Sequence, residues 1–223
     1  MHPLIEKAKQ EGRNLLEPEA LSLLRASGIS VPQYVVVHSK KQAVDAAKSL
    51  GWPVVMKAVS PDILHKSDVG GVVLNVQKDR EVSEAFARLS SLEGPSRRIE
   101  GILVCPFQAQ EVEVSVGMVR DSQFGPVITF GLGGIWIEIL QDMAYGIAPL
   151  SYEEAEDMLQ SIRARSILAG TRGRKPADTR ALCELLVLLS NMVLEETAIQ
   201  EIDLNPVFPL ETGYFIADAR III

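Results

Sequence analysis

Glu201, Asp203 and Asn205 recur at every second position in the run Glu201-Ile202-Asp203-Leu204-Asn205-Pro206. That alternation is the pattern of a half-buried strand. Ile202 and Leu204 face a core, and the three oxygen-bearing side chains share the other face. Oxygen donors gathered on one face suit a hard cation such as Mg2+. A further acid, Asp218 in Tyr214-Phe215-Ile216-Ala217-Asp218, comes close to Asp203 and Asn205 if the two runs pair as a hairpin across Pro209 to Gly213. Pro206 has no N–H to give a sheet ladder and is expected to end the strand. The competing reading is a solvated face on an edge hairpin, and spacing by itself does not separate the two.

Earlier in the chain the chemistry is cationic and glycine-rich. Lys57 stands in the apolar run Pro53-Val54-Val55-Met56-Lys57-Ala58-Val59. A buried ammonium is costly unless an anion meets it, so Lys57 is either a phosphate ligand or a lysine that snorkels from a sheet edge. The next segment, Ser60 to Gly71, is rich in donors and ends in Gly70-Gly71, which allow a ligand close to the backbone. His65, beside Lys66, is a candidate for contacting phosphate or accepting a phosphoryl group; the alternative is a solvated loop histidine. Glu111 and Glu113 share one strand face, as ligands for ribose or metal or as a solvent-exposed face. The Gly131-Leu132-Gly133-Gly134 turn with Glu138 is ambiguous in the same way. Arg172 and Arg174 form a phosphate clamp or a solvated turn. No Ser-His-Asp set, zinc spacing or Walker Gly-Lys-Ser motif is present. Cations and glycine loops first, acids last, is an order that suits Mg-nucleotide chemistry.

The elements that position these residues can be read from periodicity. Helices are expected at Leu4 to Glu11, Glu17 to Ala26, about 40 to 49 after a Ser39 cap, about 80 to 92, after the Ser151 cap, and Asp178 to Glu195. Strands are expected at 34–37, 53–59, 72–76, 102–104, 112–119, 126–130 and 135–139, followed by the closing hairpin at 199–220. The three isoleucines at 221–223 read as a packed terminus or a partner contact.

Composition narrows the classes. The 223 residues allow one large domain or two small ones, with 29 acids against 22 bases and a net charge of −7. That balance argues against non-specific nucleic-acid binding. Cys105 and Cys183 are far apart without metal-ligand spacing, so a reduced, cytoplasmic compartment is expected. The N-terminus lacks the apolar core of a signal peptide. Ala181 to Leu194, the longest apolar candidate, is broken by Glu184, Ser190 and Asn191 and reads as a buried helix, so no membrane association is expected.

The motifs together resemble a known family. Leu16-Glu17-Pro18-Glu19-Ala20, Pro53 to Lys57, Ser60 to Val72 with its His65-Lys66-Ser67-Asp68-Val69-Gly70-Gly71 core, Phe124 to Val127, Phe130 to Gly134 and Glu201 to Pro206 are similar to the ATP-grasp β subunit or domain of ADP-forming acetate–CoA ligases, relatives of the succinyl-CoA synthetase β chain. The resemblance implies an α/β (α+β) ATP-grasp fold of two subdomains, 1–104 and 105–223, with the nucleotide between them. It implies an acid–thiol ligase that converts acyl-CoA, ADP and phosphate to acid, CoA and ATP, with ATP/ADP and Mg2+ as cofactors. It also implies an α partner carrying the CoA-binding domain and the phosphohistidine. By the same resemblance Lys57 binds phosphates, Gly70 and Gly71 cover the triphosphate, and Val104, Cys105 and Gln108 belong to the adenine hinge. Glu113 is a nucleotide ligand, Asn205 and Asp218 are Mg2+ ligands, and Asp203 faces the phosphohistidine. His65 relays phosphate between two sites. The hinge Cys105-Pro106-Phe107-Gln108-Ala109-Gln110 departs from the family pattern, since succinyl-CoA synthetase relatives carry Glu at the place of Cys105, and nucleotide base preference stays open. The alternative implied by related proteins is a regulatory ATP-grasp module of a larger protein.

Overall fold

In the computed structural model, residues 1–63, 65–109, 112–134, 142–163, 165–170 and 175–223 are described. The strand expected at 135–139, Glu111, Glu138, Arg172 and Arg174 therefore lie wholly or partly outside the described residues. The chain forms two compact units, Pro32–Ala109 and a larger one of Met1–Val31 with Gln110–Ile223. Among the described residues no helix is long and apolar enough to cross a membrane.

The smaller unit contains β1 (Val35–Val37), α3 (Lys40–Leu50), β2 (Val54–Val59), β3 (Val72–Val76), α4 (Asp79–Ser90) and β4 (Gly101–Pro106). Its four strands run β1-β4-β2-β3, with every pairing antiparallel. Ser39 caps α3 by accepting the Gln42 N–H. One face of the sheet packs on α3 and α4, and Val54, Met56, Ala58, Ile102 and Val104 join Ala43, Ala47, Val82, Ala85 and Leu89 in the core. Strand alternation then turns Val55, Lys57 and Val59 to the opposite face.

The larger unit contains α1 (Pro3–Gln10), α2 (Glu17–Ala26), β5 (Val114–Asp121), β6 (Gly125–Leu132), β7 (Met143–Ile147), α5 (Tyr152–Ser161), the single turn α6 (Arg165–Leu168), α7 (Thr179–Glu195), β8 (Glu201–Pro209), β9 (Tyr214–Ile216) and β10 (Arg220–Ile222). The sheet order is β10-β8-β5-β6-β7, with β9 on the far half of β8. Helices α5 and α7 pack on one face over Val116, Met118, Ile128, Phe130, Ile202 and Leu204. Ser151 and Glu154 close a capping box at α5. Ser190, which breaks the apolar run of α7, is fully buried and hydrogen-bonded, accepting from the Leu150 N–H and donating to the Val187 carbonyl.

The division of the chain differs from the expected 1–104 and 105–223. The first 31 residues pack with the C-terminal elements: α2 lies on β10, the His2 N–H donates to Glu196, the Ser30 N–H donates to the Tyr214 hydroxyl, and the Ile223 N–H donates to Asn14. An apolar helix stripe says that a helix is covered but not by which sheet. The terminal isoleucines are explained by the same contact, with Ile221 fully buried in β10.

Pro206 does not end its strand. β8 continues to Pro209, and its register with β5 shifts by a residue between the Leu204 and Val207 pairings. The step change absorbs a residue that cannot donate to the ladder. Buried positions on β8 accordingly run Ile202, Leu204, then Val207, and on the returning chain Ile216, then Ala219 and Ile221. Both chains lose step at the same place, where the Ala217 N–H donates to the Pro206 carbonyl at 2.9 Å.

Candidate functional site

The residues singled out by the sequence divide between the units. Lys57, His65, Gly70, Gly71, Val104, Cys105 and Gln108 fall in the smaller one, and Glu113, Asp203, Asn205 and Asp218 in the larger.

In the smaller unit Lys57 is in the middle of β2, opposite Val72 on β3 and Leu103 on β4. It is only 5 % exposed and lies on the face away from α3 and α4. Its ladder neighbour Ala58 donates to the Gly71 carbonyl, so the glycine loop is tied directly beside the lysine. The loop closes on itself through Gly70 N–H to Ser67 and Gly71 N–H to Lys66. Gly70 has φ +70°, which favours glycine, and a Cβ there would stand 3.0 Å from the Arg88 guanidinium. His65 is exposed in this loop. Cys105, opposite Val55, shares the Lys57 face, whereas the Val104 side chain is buried among α3 and α4. A ligand can therefore meet Val104 only through its backbone. Gln108 is half-buried just past β4.

In the larger unit the acids line up on the face away from α5 and α7. Pairings on both sides of the break keep one register, Pro209 with Tyr214 and Asp203 with Arg220. That register puts Asp218 opposite Asn205. Both are half-buried. Opposed residues of an antiparallel pair have Cβ atoms about 5 Å apart, a spacing that lets two side-chain oxygens meet one cation. Ser115 and Gly131 continue the same row across β5 and β6. Glu113 precedes β5, with its carbonyl accepting from the Gly133 N–H at 2.7 Å, and a Cβ on Gly134 would lie 2.9 Å from its carboxylate. One row further along, Asp203 is flanked by Arg220 on β10 and Gly117 on β5.

The donor set fits Mg2+. Among the described residues no group of three or more His, Cys, Asp or Glu side chains could hold a metal ion. Asn205 and Asp218 offer two hard oxygen ligands, and Mg2+ characteristically takes one or two from protein and the rest from phosphate and water.

Arg220 was not among the expected site residues. Its signal was present, since it stands two residues after Asp218 and period two puts both on one strand face. A guanidinium there balances an otherwise acidic row.

Comparison with known proteins gives the family. Residues 7–223 match the family model of an ATP-grasp domain. The chain is 44% identical over 223 residues to the β subunit of acetate–CoA ligase (ADP-forming) I of Pyrococcus furiosus, covering 99% of this chain and 96% of that one. The chain belongs to the ATP-grasp family of ADP-forming acetate–CoA ligase β subunits. It is also 44% identical to the acetate–CoA ligase (ADP-forming) I of Archaeoglobus fulgidus, but there 99% of this chain spans 32% of the relative. Among solved structures, the dinucleotide-forming acetyl-coenzyme A synthetase 1 of Candidatus Korarchaeum cryptofilum, in complex with coenzyme A and Ca-AMPCP, superposes with a TM-score of 0.95 at 40% identity, covering 99% of this chain and 98% of that one. The same synthetase with Mg-AMPPCP, its phosphohistidine segment pointing towards the nucleotide binding site, gives 0.87 at 38% identity, covering 99% and 98%. For the ATP-grasp β family, the expected fold class is therefore the observed one, with antiparallel sheets in both units.

Proposed function

We propose that this chain is the nucleotide-binding β subunit of an ADP-forming acyl-CoA ligase, with acetyl-CoA the first acyl donor to test. The observation that carries the reading is that one chain holds a buried Lys57 beside a glycine loop in its smaller unit and an Asn205–Asp218 row in its larger one, and spans nearly the whole of a ligase β subunit. Lys57 takes the charge of nucleotide phosphates, and backbone N–H groups of the 66–71 loop cover them. Gln108 and Cys105, with the Val104 backbone, border the base. Glu113 meets the ribose. Asn205 and Asp218 hold Mg2+, which neutralises phosphate charge as the phosphoryl group is transferred. Asp203 accepts a hydrogen bond from the imidazole of a phosphohistidine, fixing the ring while the phosphoryl group leaves its other nitrogen for ADP. His65, on an exposed loop, relays the phosphoryl group between two sites.

The name of the Pyrococcus relative as a β subunit supports an α partner for this chain, carrying the CoA site and the phosphohistidine. The cytoplasm is the compartment this reading assigns. The test is ATP formation from acetyl-CoA, phosphate and Mg-ADP by the purified chain with an α partner of proven competence. ATP dependent on both chains is expected, and persistent inactivity sinks the reading.

A further inference from the structure

The face of the larger sheet away from α5 and α7 is ordered in rows that cross the strands. Asn205 and Asp218 mark one row, with Ser115 and Gly131 beside them. Glu113 and the turn at Gly133 and Gly134 stand on one side of it. On the other side come first Tyr145, Thr129, Gly117, Asp203 and Arg220, and then Ile147, Val127, Val119, Glu201 and Ile222. Same-face positions of a strand repeat every ~7 Å, which puts the last row ~14 Å from the Asn205–Asp218 row.

That last row is apolar and uncovered on β7 and β5. Ile147 is 53 % exposed and Val119 52 %, with Val127 half-buried between them. Tyr145, two residues from Ile147 on the same face, is 68 % exposed, and Phe124, in the β5–β6 turn, 60 %. Among the described residues, the only other large apolar side chains more than half exposed are Met1 at the N-terminus and Leu74 in the smaller unit. Single exposed apolar residues are ordinary, whereas a contiguous patch marks a contact. Glu201, next along the row, has its charge balanced by Arg220 Nη2 at 2.7 Å. Between the patch and the Asn205–Asp218 row, β5 carries Gly117, where a Cβ would stand 2.8 Å from Thr129 Oγ1 and 2.9 Å from the Ile202 carbonyl. The floor between them is low, and no larger β5 residue can fill it.

We propose that the patch of Val119, Phe124, Tyr145 and Ile147 seats the α partner, through an apolar surface flanking its phosphohistidine segment. This deepens the ligase reading and rests on it. In that reading the ribose lies at the Glu113 end and the metal in the Asn205–Asp218 row. The phosphohistidine then comes to the metal from the opposite end, and the patch lies at that end. The chain spans 96% of a relative named a β subunit but 32% of a longer ligase, so the reading calls for a second, larger body that must hold on near the site. A second copy of this chain would bury the same patch but would put another sheet across that approach.

The test is calorimetric affinity for an α partner of proven competence, measured beside Mg-AMPPCP affinity and the rate of ATP formation as the α concentration is raised. Ile147→Lys puts an unpaired charge into the contact and is expected to weaken α binding by roughly 10- to 100-fold. Phe124→Ser, in a turn outside any strand, is expected to weaken it by about fivefold or more, and carries the test even if Ile147→Lys does not fold. Nucleotide affinity of the chain alone stays within about twofold, because both positions are exposed and away from the metal row. The rate at saturating α is retained, and only the α concentration that gives half of it rises. An α affinity unchanged in both variants overturns the inference, and so does nucleotide affinity falling in step with α affinity. A wild-type chain that dimerises alone, loses the dimer in Ile147→Lys and keeps its α affinity gives the face to a second copy and overturns it as well. A wild-type chain that neither binds nor works with the α partner overturns the ligase reading itself, whereas an active wild type with unaffected variants overturns only this docking face.

Discussion

Asp218 stands opposite Asn205 because the hairpin keeps one register from the Pro209–Tyr214 pair to the Asp203–Arg220 pair. If the two hold Mg2+ as proposed, removing either leaves the cation with one protein contact. Asp218→Asn and Asn205→Ala are each expected to weaken Mg-AMPPCP binding by roughly 10- to 100-fold. Without Mg2+ the variants and wild type converge. Titration calorimetry with and without EDTA measures this, and equal affinities in Mg2+ would remove the pair from the metal site.

Lys57 is 5 % exposed on the sheet face away from α3 and α4. Lys57→Met keeps the stem and removes the charge. A charge-assisted hydrogen bond contributes about 1.5–3 kcal/mol, so nucleotide affinity is expected to fall by roughly 10- to 100-fold. A melting temperature lower by several degrees with affinity unchanged would make Lys57 a structural cation instead.

His65 is exposed on the loop between β2 and β3. His65→Ala is expected to leave Mg-AMPPCP affinity within about twofold, since an exposed loop side chain contributes little to fold or pocket. Net turnover with the α partner slows. If nucleotide binding disappears instead, His65 is a ligand of the nucleotide and not a relay.

The candidate site was legible in the sequence to the extent that strand alternation and glycine spacing are local. Ile202 and Leu204 face the helices as period two requires, and Lys57 lies on the face opposite Met56. The hairpin from Glu201 onward could be read from two alternating runs and a Pro-Gly turn. What depends on distant partners could not. Val104 is in the hinge run, yet its side chain belongs to the core under α3 and α4. The packing of residues 1–31 on β10 follows from the Glu196, Asn14 and Tyr214 contacts, each made across more than half the chain. Pro206 misled for a physical reason: a missing N–H ends a ladder only where the strand cannot change step. Arg220 lies beyond the Tyr214–Asp218 run, and its place in the row depends on the pairing of β10 with β8.

Asp178 ties two distant pieces of the larger unit. Its carboxylate accepts from the Ala181 N–H at the start of α7 and from the Gly213 N–H in the β8–β9 turn, at 3.0 and 2.8 Å. The Gly213 bond, then the Ala181 bond, hold its carboxyl below the usual aspartate range. A depressed folded-state pKa gives stability that is present above the unfolded value and lost as pH falls through the folded one. Asp178→Ala removes a helix cap and one turn contact, and losing the cap alone costs about 1 kcal/mol. The stability gap between wild type and Asp178→Ala is therefore expected to be full at pH 7 and to close as the solution is acidified through and below the ordinary carboxylate range. Urea unfolding of the two proteins across that range measures it. A gap that stays constant into acid would mean that the uncharged carboxyl caps α7 as well as the carboxylate does, and that the tie to Gly213 carries no charge dependence.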